Sequence, residues 1–147
     1  MSLKTRILEE VKSAMRAQDR SRLGALRLIT AALKQKEVDE RIELDDTAVL
    51  AVLDKMAKQR RESIEQYAAA GRDDLVAQEQ FELELLQEYL PEPLAEDALA
   101  ELIQVAITDT GATGMGDMGA VMQRLREQVQ GRADMKAVSA AVRARLS

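Results

Sequence analysis

Both prolines of this chain stand in one tripeptide, Pro91-Glu92-Pro93. No other segment holds the residue that removes a helical hydrogen bond and ends a helix outright. On either side, apolar residues recur at helical spacing and do not alternate. Leu3, Ile7, Leu8, Val11 and Met15 mark a first amphipathic helix, and Leu23, Leu26, Thr30 and Leu33 a second beyond a break near Asp19. The pattern lapses from Glu37 to Asp46. Asp46 is placed to cap a third helix carrying Val49, Leu50, Leu53, Met56, Ala57, Ile64 and Tyr67, which Gly71 stops. Asp73 or Asp74 then caps a fourth, with Leu75, Val76, Leu83, Leu86 and Leu90 facing inward until the prolines end it.

Beyond the prolines the elements shorten. Leu99, Leu102, Ile103, Ala106 and Ile107 give one helix, Met118, Val121, Met122, Leu125 and Val129 a second, and Val138, Ala141, Val142 and Leu146 a third. Asp117 and Asp134 are placed as caps, and Gly131 suits a left-handed stop. The rings number only three, Tyr67, Phe81 and Tyr89, too few for a sandwich or barrel. The two tyrosines are expected in the core with bonded hydroxyls. The expectation is an all-α fold: an N-terminal bundle of about four helices over residues 1–92, then a small three-helix domain over 93–147.

Histidine and cysteine are both absent. That removes the Ser-His-Asp triad, the Cys nucleophile, the CxxC redox pair and the ordinary zinc site. No catalytic residue, metal set or cofactor is assigned. Gly111-Ala112-Thr113-Gly114-Met115-Gly116 has the glycines of a phosphate loop, but no strand precedes it and no Gly-Lys-Ser/Thr follows, so a hinge between helices is the better account. Met115, Met118, Met122 and Met135 serve either as core filling or as an adaptable partner face. The opening Met1-Ser2-Leu3-Lys4-Thr5-Arg6 leads into an amphipathic pattern, unlike a secretory signal, and no apolar run approaches the ~20 residues of a membrane span. With no cysteine to pair, a soluble cytoplasmic protein is expected.

A net charge of −5 conceals alternation. Residues 1–36 carry net +6, 37–54 net −6, 55–72 net +3, 73–101 net −10 and 102–147 net +2. Complementary solvated faces of neighbouring helices account for most of this. The end of the chain stands apart. Arg124, Arg126, Arg132, Lys136, Arg143 and Arg145 face only Glu127 and Asp134 there, on two short helices and the turn between them. Several cations in a small area suit a phosphate backbone, because each neutralised phosphate releases counterions. With so few rings for base stacking, RNA contact would go through shape and phosphate. Lys58, Arg60, Arg61 and Arg72 form a second candidate patch, for which pairing with Glu62, Glu65 and the acidic fourth helix is the competing explanation.

Two segments resemble a known family. Lys58-Gln59-Arg60-Arg61-Glu62-Ser63-Ile64-Glu65-Gln66-Tyr67, followed by Ala70-Gly71-Arg72-Asp73-Asp74-Leu75, Glu79 and Tyr89-Leu90-Pro91, is similar to the N-terminal signature of the GatB/YqeY family. Met118-Gly119-Ala120-Val121-Met122 and Gly131-Arg132-Ala133-Asp134-Met135-Lys136 resemble its C-terminal signature. The resemblance implies a two-part helical fold related to the tail of the B subunit of the glutamine-dependent tRNA amidotransferase, the region that touches the tRNA outer corner. In that enzyme the chemistry lies in a separate catalytic domain and the ammonia comes from a partner glutaminase. The resemblance therefore implies a stand-alone protein that binds tRNA and is not catalytic alone. The label of carbon–nitrogen ligase with glutamine as amido-N-donor belongs to the complex. It further implies tRNA, the amidotransferase or other translation proteins as partners, with a helical protein-interaction module as the alternative. One departure is local: the family opens the helix after Pro93 with a Ser or Thr cap, and here Ala95 stands there, a loss of about 1 kcal/mol.

Overall fold

The computed structural model describes residues 1–129 and 131–147, and among them every regular element is helical. The all-α expectation holds. The chain forms two compact units, Met1–Leu90 and Pro91–Ser147.

The first unit holds α1 (Leu3–Ala17), α2 (Arg20–Glu40), α3 (Asp46–Ala69) and α4 (Asp73–Tyr89). Ser2 starts α1 by accepting the Thr5 N–H. Gln18, in the left-handed region at φ 56°, ends it, and the Asp19 N–H returns to the Ala14 carbonyl. The Asp19 carboxylate at once accepts the Arg22 N–H and starts α2. Two residues thus close a helical hairpin. α1 packs on α2 and α3 on α4, with further contacts of α3 on α1 and α2 and of α2 on α4. Their apolar stripes meet in a core in which Ile7, Leu26, Leu53 and Leu86 are fully buried. Each such side chain contributes about 2 kcal/mol by leaving water.

Two caps in this unit differ from the sequence expectation. Asp45, not Asp46, caps α3: its extended backbone aims the carboxylate at the Ala48 N–H. Asp46 instead accepts the Leu3 N–H at 2.9 Å and ties the start of α3 to that of α1. At α4 the cap position falls to Arg72, which offers no acceptor. Asp73 and Asp74 lie in the first turn, where their charge favours the positive helix end. The second helix also runs to Glu40, past the lapse in the apolar pattern, and ends where Arg41 turns left-handed at φ 56° with its N–H on the Glu37 carbonyl; the Glu37 side chain is held by Lys4 Nζ (2.7 Å) and the Leu44 N–H (3.0 Å).

The second unit holds α5 (Glu96–Thr110), a 3₁₀ turn (Met115–Asp117), α6 (Met118–Val129) and α7 (Met135–Leu146). α6 packs against both α5 and α7. Ile103, Val121, Leu125, Val129, Val138 and Val142 are its best-buried residues. Met122 is buried and Met118 and Met135 pack against that core, while Met115 is exposed. Gly111, at φ 68°, ends α5 as a left-handed cap, and Gly131 takes φ 78° before α7. Asp134 caps α7 through the Lys136 N–H. Asp117 does not cap α6; its carboxylate turns back to the Thr113 N–H at 3.0 Å and closes the loop instead. Ala95 is the N-cap of α5 and gives it no side-chain bond.

Candidate nucleic-acid interface

The six cations at the end of the chain divide into two sets of three. On α6 the buried stripe runs through Val121, Met122, Leu125 and Val129. Arg124 and Arg126 are about 200° of helical rotation apart and so flank that stripe on opposite sides. Arg124 Nη2 lies 3.1 Å from Asp109 Oδ2 on α5. Arg132, in the turn, donates through Nε to the Glu92 carbonyl at 3.1 Å, while its own carbonyl accepts the Leu94 N–H at 2.8 Å. Arg145 donates to the Ala100 carbonyl and to Gln104 Oε1, both at 3.3 Å. These three arginines fasten α6, the turn and α7 to α5 and the segment before it.

Arg126, Lys136 and Arg143 form the other set. All three are exposed and have no ion pair among the described residues. Lys136 and Arg143 are seven residues apart on α7, two turns or about 10 Å along one face. The buried row of Val138, Val142 and Leu146 lies about 110° round the helix from them, so the two cations flank the face that packs in the core. The fold therefore presents a pair of free cations on α7 and a third on α6, in place of a single patch of six.

The second candidate patch is not brought together. Arg60 continues the buried register of Val49, Leu53 and Met56 and turns inward to α4. Its Nε is 2.8 Å from Glu82 Oε2 and 3.4 Å from Glu79 Oε2, with the three side chains only 13–19% exposed. Neither contact, to Glu82 or to Glu79, has hydrogen-bond alignment, since Arg60 Nε is buried without a hydrogen-bond partner, as is Glu79 Oε2. Arg72 pairs with Asp74 beside it at 3.2 Å. Lys58 and Arg61 stay exposed without an ion pair among the described residues.

Sequence reasoning missed a charged network in the first unit. The Tyr89 hydroxyl donates to Glu10 Oε2, Arg22 spans Glu10 and Glu88 at 2.9 Å each, and the Arg6 guanidinium stands 5.0 Å over the Tyr89 ring. The ring is buried, whereas Tyr67 is half-buried. Burial pushes the Glu10 carboxyl up, but the hydrogen bonds from Tyr89 and Arg22 and the charges of Arg22 and Arg6 outweigh it and hold it below its ordinary 4.5. Burial first, then the bond to Glu10, pushes the Tyr89 phenol well above its ordinary 10. The Lys4 hydrogen bond, then the Leu44 N–H, lowers Glu37.

Stability should therefore fall at both ends of the pH scale. A depressed carboxyl stabilises the fold fully above its unfolded value and loses that contribution as pH drops through the lower folded value. For Glu10 and Glu37 the loss sets in below about pH 4.5. A raised phenol behaves oppositely: its contribution is complete below pH 10 and declines above it. Urea midpoints across pH should show both limbs, and Tyr89→Phe should flatten the alkaline one. An unchanged alkaline limb in that variant would remove Tyr89 from the account.

Among the described residues no group of three or more carboxylates is gathered to hold a metal ion, and no helix is long and apolar enough to cross a membrane. The sequence model of the family described as Yqey-like protein matches residues 4–146. Curated relatives carry the name "Altered inheritance of mitochondria protein 41, mitochondrial". That of Eremothecium gossypii is 41% identical over 96 residues, 63% of this chain and 52% of its own length. That of Pyrenophora tritici-repentis is 31% identical over 130 residues, 87% of this chain and 71% of its own. That of Lachancea thermotolerans is 35% identical over 92 residues, 61% and 49%. The match spans about half the length of the first and third of these. Their names assign them to mitochondria, which overturns the cytoplasmic expectation. That expectation rested on the absence of a secretory pattern, a membrane-length apolar run and cysteine, and none of these separates one reducing compartment from another.

Proposed function

Because the chain belongs to the family of Yqey-like proteins, we propose that it is a non-catalytic RNA-binding accessory protein, with tRNA as its RNA, related in role to the tRNA-contacting tail of the amidotransferase B subunit. One observation carries this: Lys136 and Arg143 stand exposed along one side of α7, and Arg126 stands exposed on α6, with no ion pair among the described residues to neutralise them. A rigid helix with cations about 10 Å apart suits contact with a phosphate backbone, which such cations position without reading sequence. The stapling arginines Arg124, Arg132 and Arg145 hold α5, α6 and α7 in register beneath them.

Mobility shift with tRNA at low salt tests the proposal. Lys136→Glu with Arg143→Glu should weaken binding at least about tenfold and reduce the slope of log affinity against log salt by about 2. Both residues are exposed, so the variant should keep the wild-type melting temperature. Equal affinity and equal salt slope for the two proteins would end this reading. Release of glutamate from glutamine by the purified chain, dependent on ATP and charged tRNA, would overturn its non-catalytic part.

A further inference from the structure

The outer face of the α1–α2 hairpin combines two patterns that the core does not explain. On α1, Leu8 and Met15 are seven residues apart and remain 43% and 52% exposed. On α2, Arg20, Arg27 and Lys34 recur at the same interval, all exposed and none in an ion pair among the described residues. A seven-residue interval drifts by only about 20° per repeat on a helix, so each set forms one row. The hairpin brings the rows side by side. Leu8 lines a groove of about 540 Å³ with Arg27 and Lys34, and the ion-paired Lys4 and Glu37 line it too. Met15 lines a second hollow of about 400 Å³ with Arg20 and Leu23.

We propose that this face is the docking site for an acidic amphipathic helix of a partner protein. Two apolar side chains of the visitor, one heptad apart, would enter the hollows beside Leu8 and Met15, while its carboxylates meet Arg20, Arg27 and Lys34. Most other cations of α1 and α2 are engaged within the chain. Lys4, Arg6, Lys12, Arg22 and Lys36 have carboxylate ion-pair partners within the chain and Arg16 bonds Ser13, whereas no cation of the row beside the groove is in an ion pair among the described residues, Lys34 only lending its charge to Glu37. From Arg20 to Lys34 the row extends about 21 Å, four turns of a docked helix. An apolar floor favours a helix over nucleic acid, whose phosphates would leave Leu8 and Met15 facing water.

The probe is a labelled 21-residue synthetic helix with leucines at heptad spacing flanked by glutamates, followed by fluorescence anisotropy on the full chain. Saturable binding is expected. Arg27→Glu with Lys34→Glu should weaken it at least about tenfold, and a peptide with lysines in place of the glutamates should recover affinity for that variant. Leu8→Ser should weaken both peptides, which a purely electrostatic contact would not do. No saturable binding by wild type, or equal binding by the charge-reversed variant, overturns the proposal. So does tRNA binding lost through Arg27 and Lys34 with the peptide indifferent, or self-association abolished by the same pair, which would assign the face to RNA or to a second copy. The peptide results do not bear on Lys136 and Arg143, whose own charge reversal tests the RNA-binding proposal separately.

Discussion

Arg60→Ala should destabilise the first unit by about 3 kcal/mol, the scale for removing one partner of a buried charge cluster. Glu79 and Glu82 are one turn apart on α4, and both face the Arg60 guanidinium from positions that exclude most water. Without it, two carboxylates confront each other with no cation in reach among the described residues. The intact cluster need not be a strong source of stability, because desolvation of three charges offsets their attraction and the contacts of Arg60 Nε with Glu79 and Glu82 both lack hydrogen-bond alignment. Arg60→Met combined with Glu79→Gln and Glu82→Gln should therefore regain most of the loss. Urea unfolding followed by circular dichroism measures both. A loss below about 1 kcal/mol for the single change would mean the cluster behaves as an exposed surface pair.

The same residue shows which parts of the molecule were legible in its sequence. Pairing between Lys58, Arg60, Arg61, Arg72 and the acidic fourth helix was readable from charge alternation, but apart from Arg72, which meets the adjacent Asp74, only Arg60 makes it, because of the three on α3 it alone continues the apolar register. Helix identities were legible because they rest on a period local to each segment. The caps were less so. Asp45 and Asp46 are chemically equal, and a backbone angle at one of them, not composition, decides which caps α3. The Glu10–Arg22–Tyr89 network was illegible because 79 residues separate Glu10 from Tyr89 and no period links them. In the terminal basic cluster, closeness along the chain suggested one surface. Helical rotation instead sends Arg124 and Arg126 to opposite flanks, and three of the six cations are taken up within the unit.

Leu125→Ala should be the most damaging single change in the Pro91–Ser147 unit. Leu125 has no exposure and sits on α6, the helix that contacts both α5 and α7. Truncating a buried leucine costs about 3 kcal/mol through lost transfer and the cavity left behind. At this unit's size a single core supplies no more than about 3–5 kcal/mol, so the loss approaches everything available. Hydrogen exchange should show the amides of α6 and α7 losing most of their protection, while those of α1 to α4 keep theirs. Affinity for tRNA should fall as well, although every cation is still present, because Lys136 and Arg143 act as a pair only while α7 holds its helical register against α6. Retained affinity after loss of protection would mean that charge alone, without the shape of the unit, accounts for binding. Shape and charge would then have to be separated by comparing Leu125→Ala with Lys136→Glu and Arg143→Glu at matched salt, since only the charge changes should alter the salt slope.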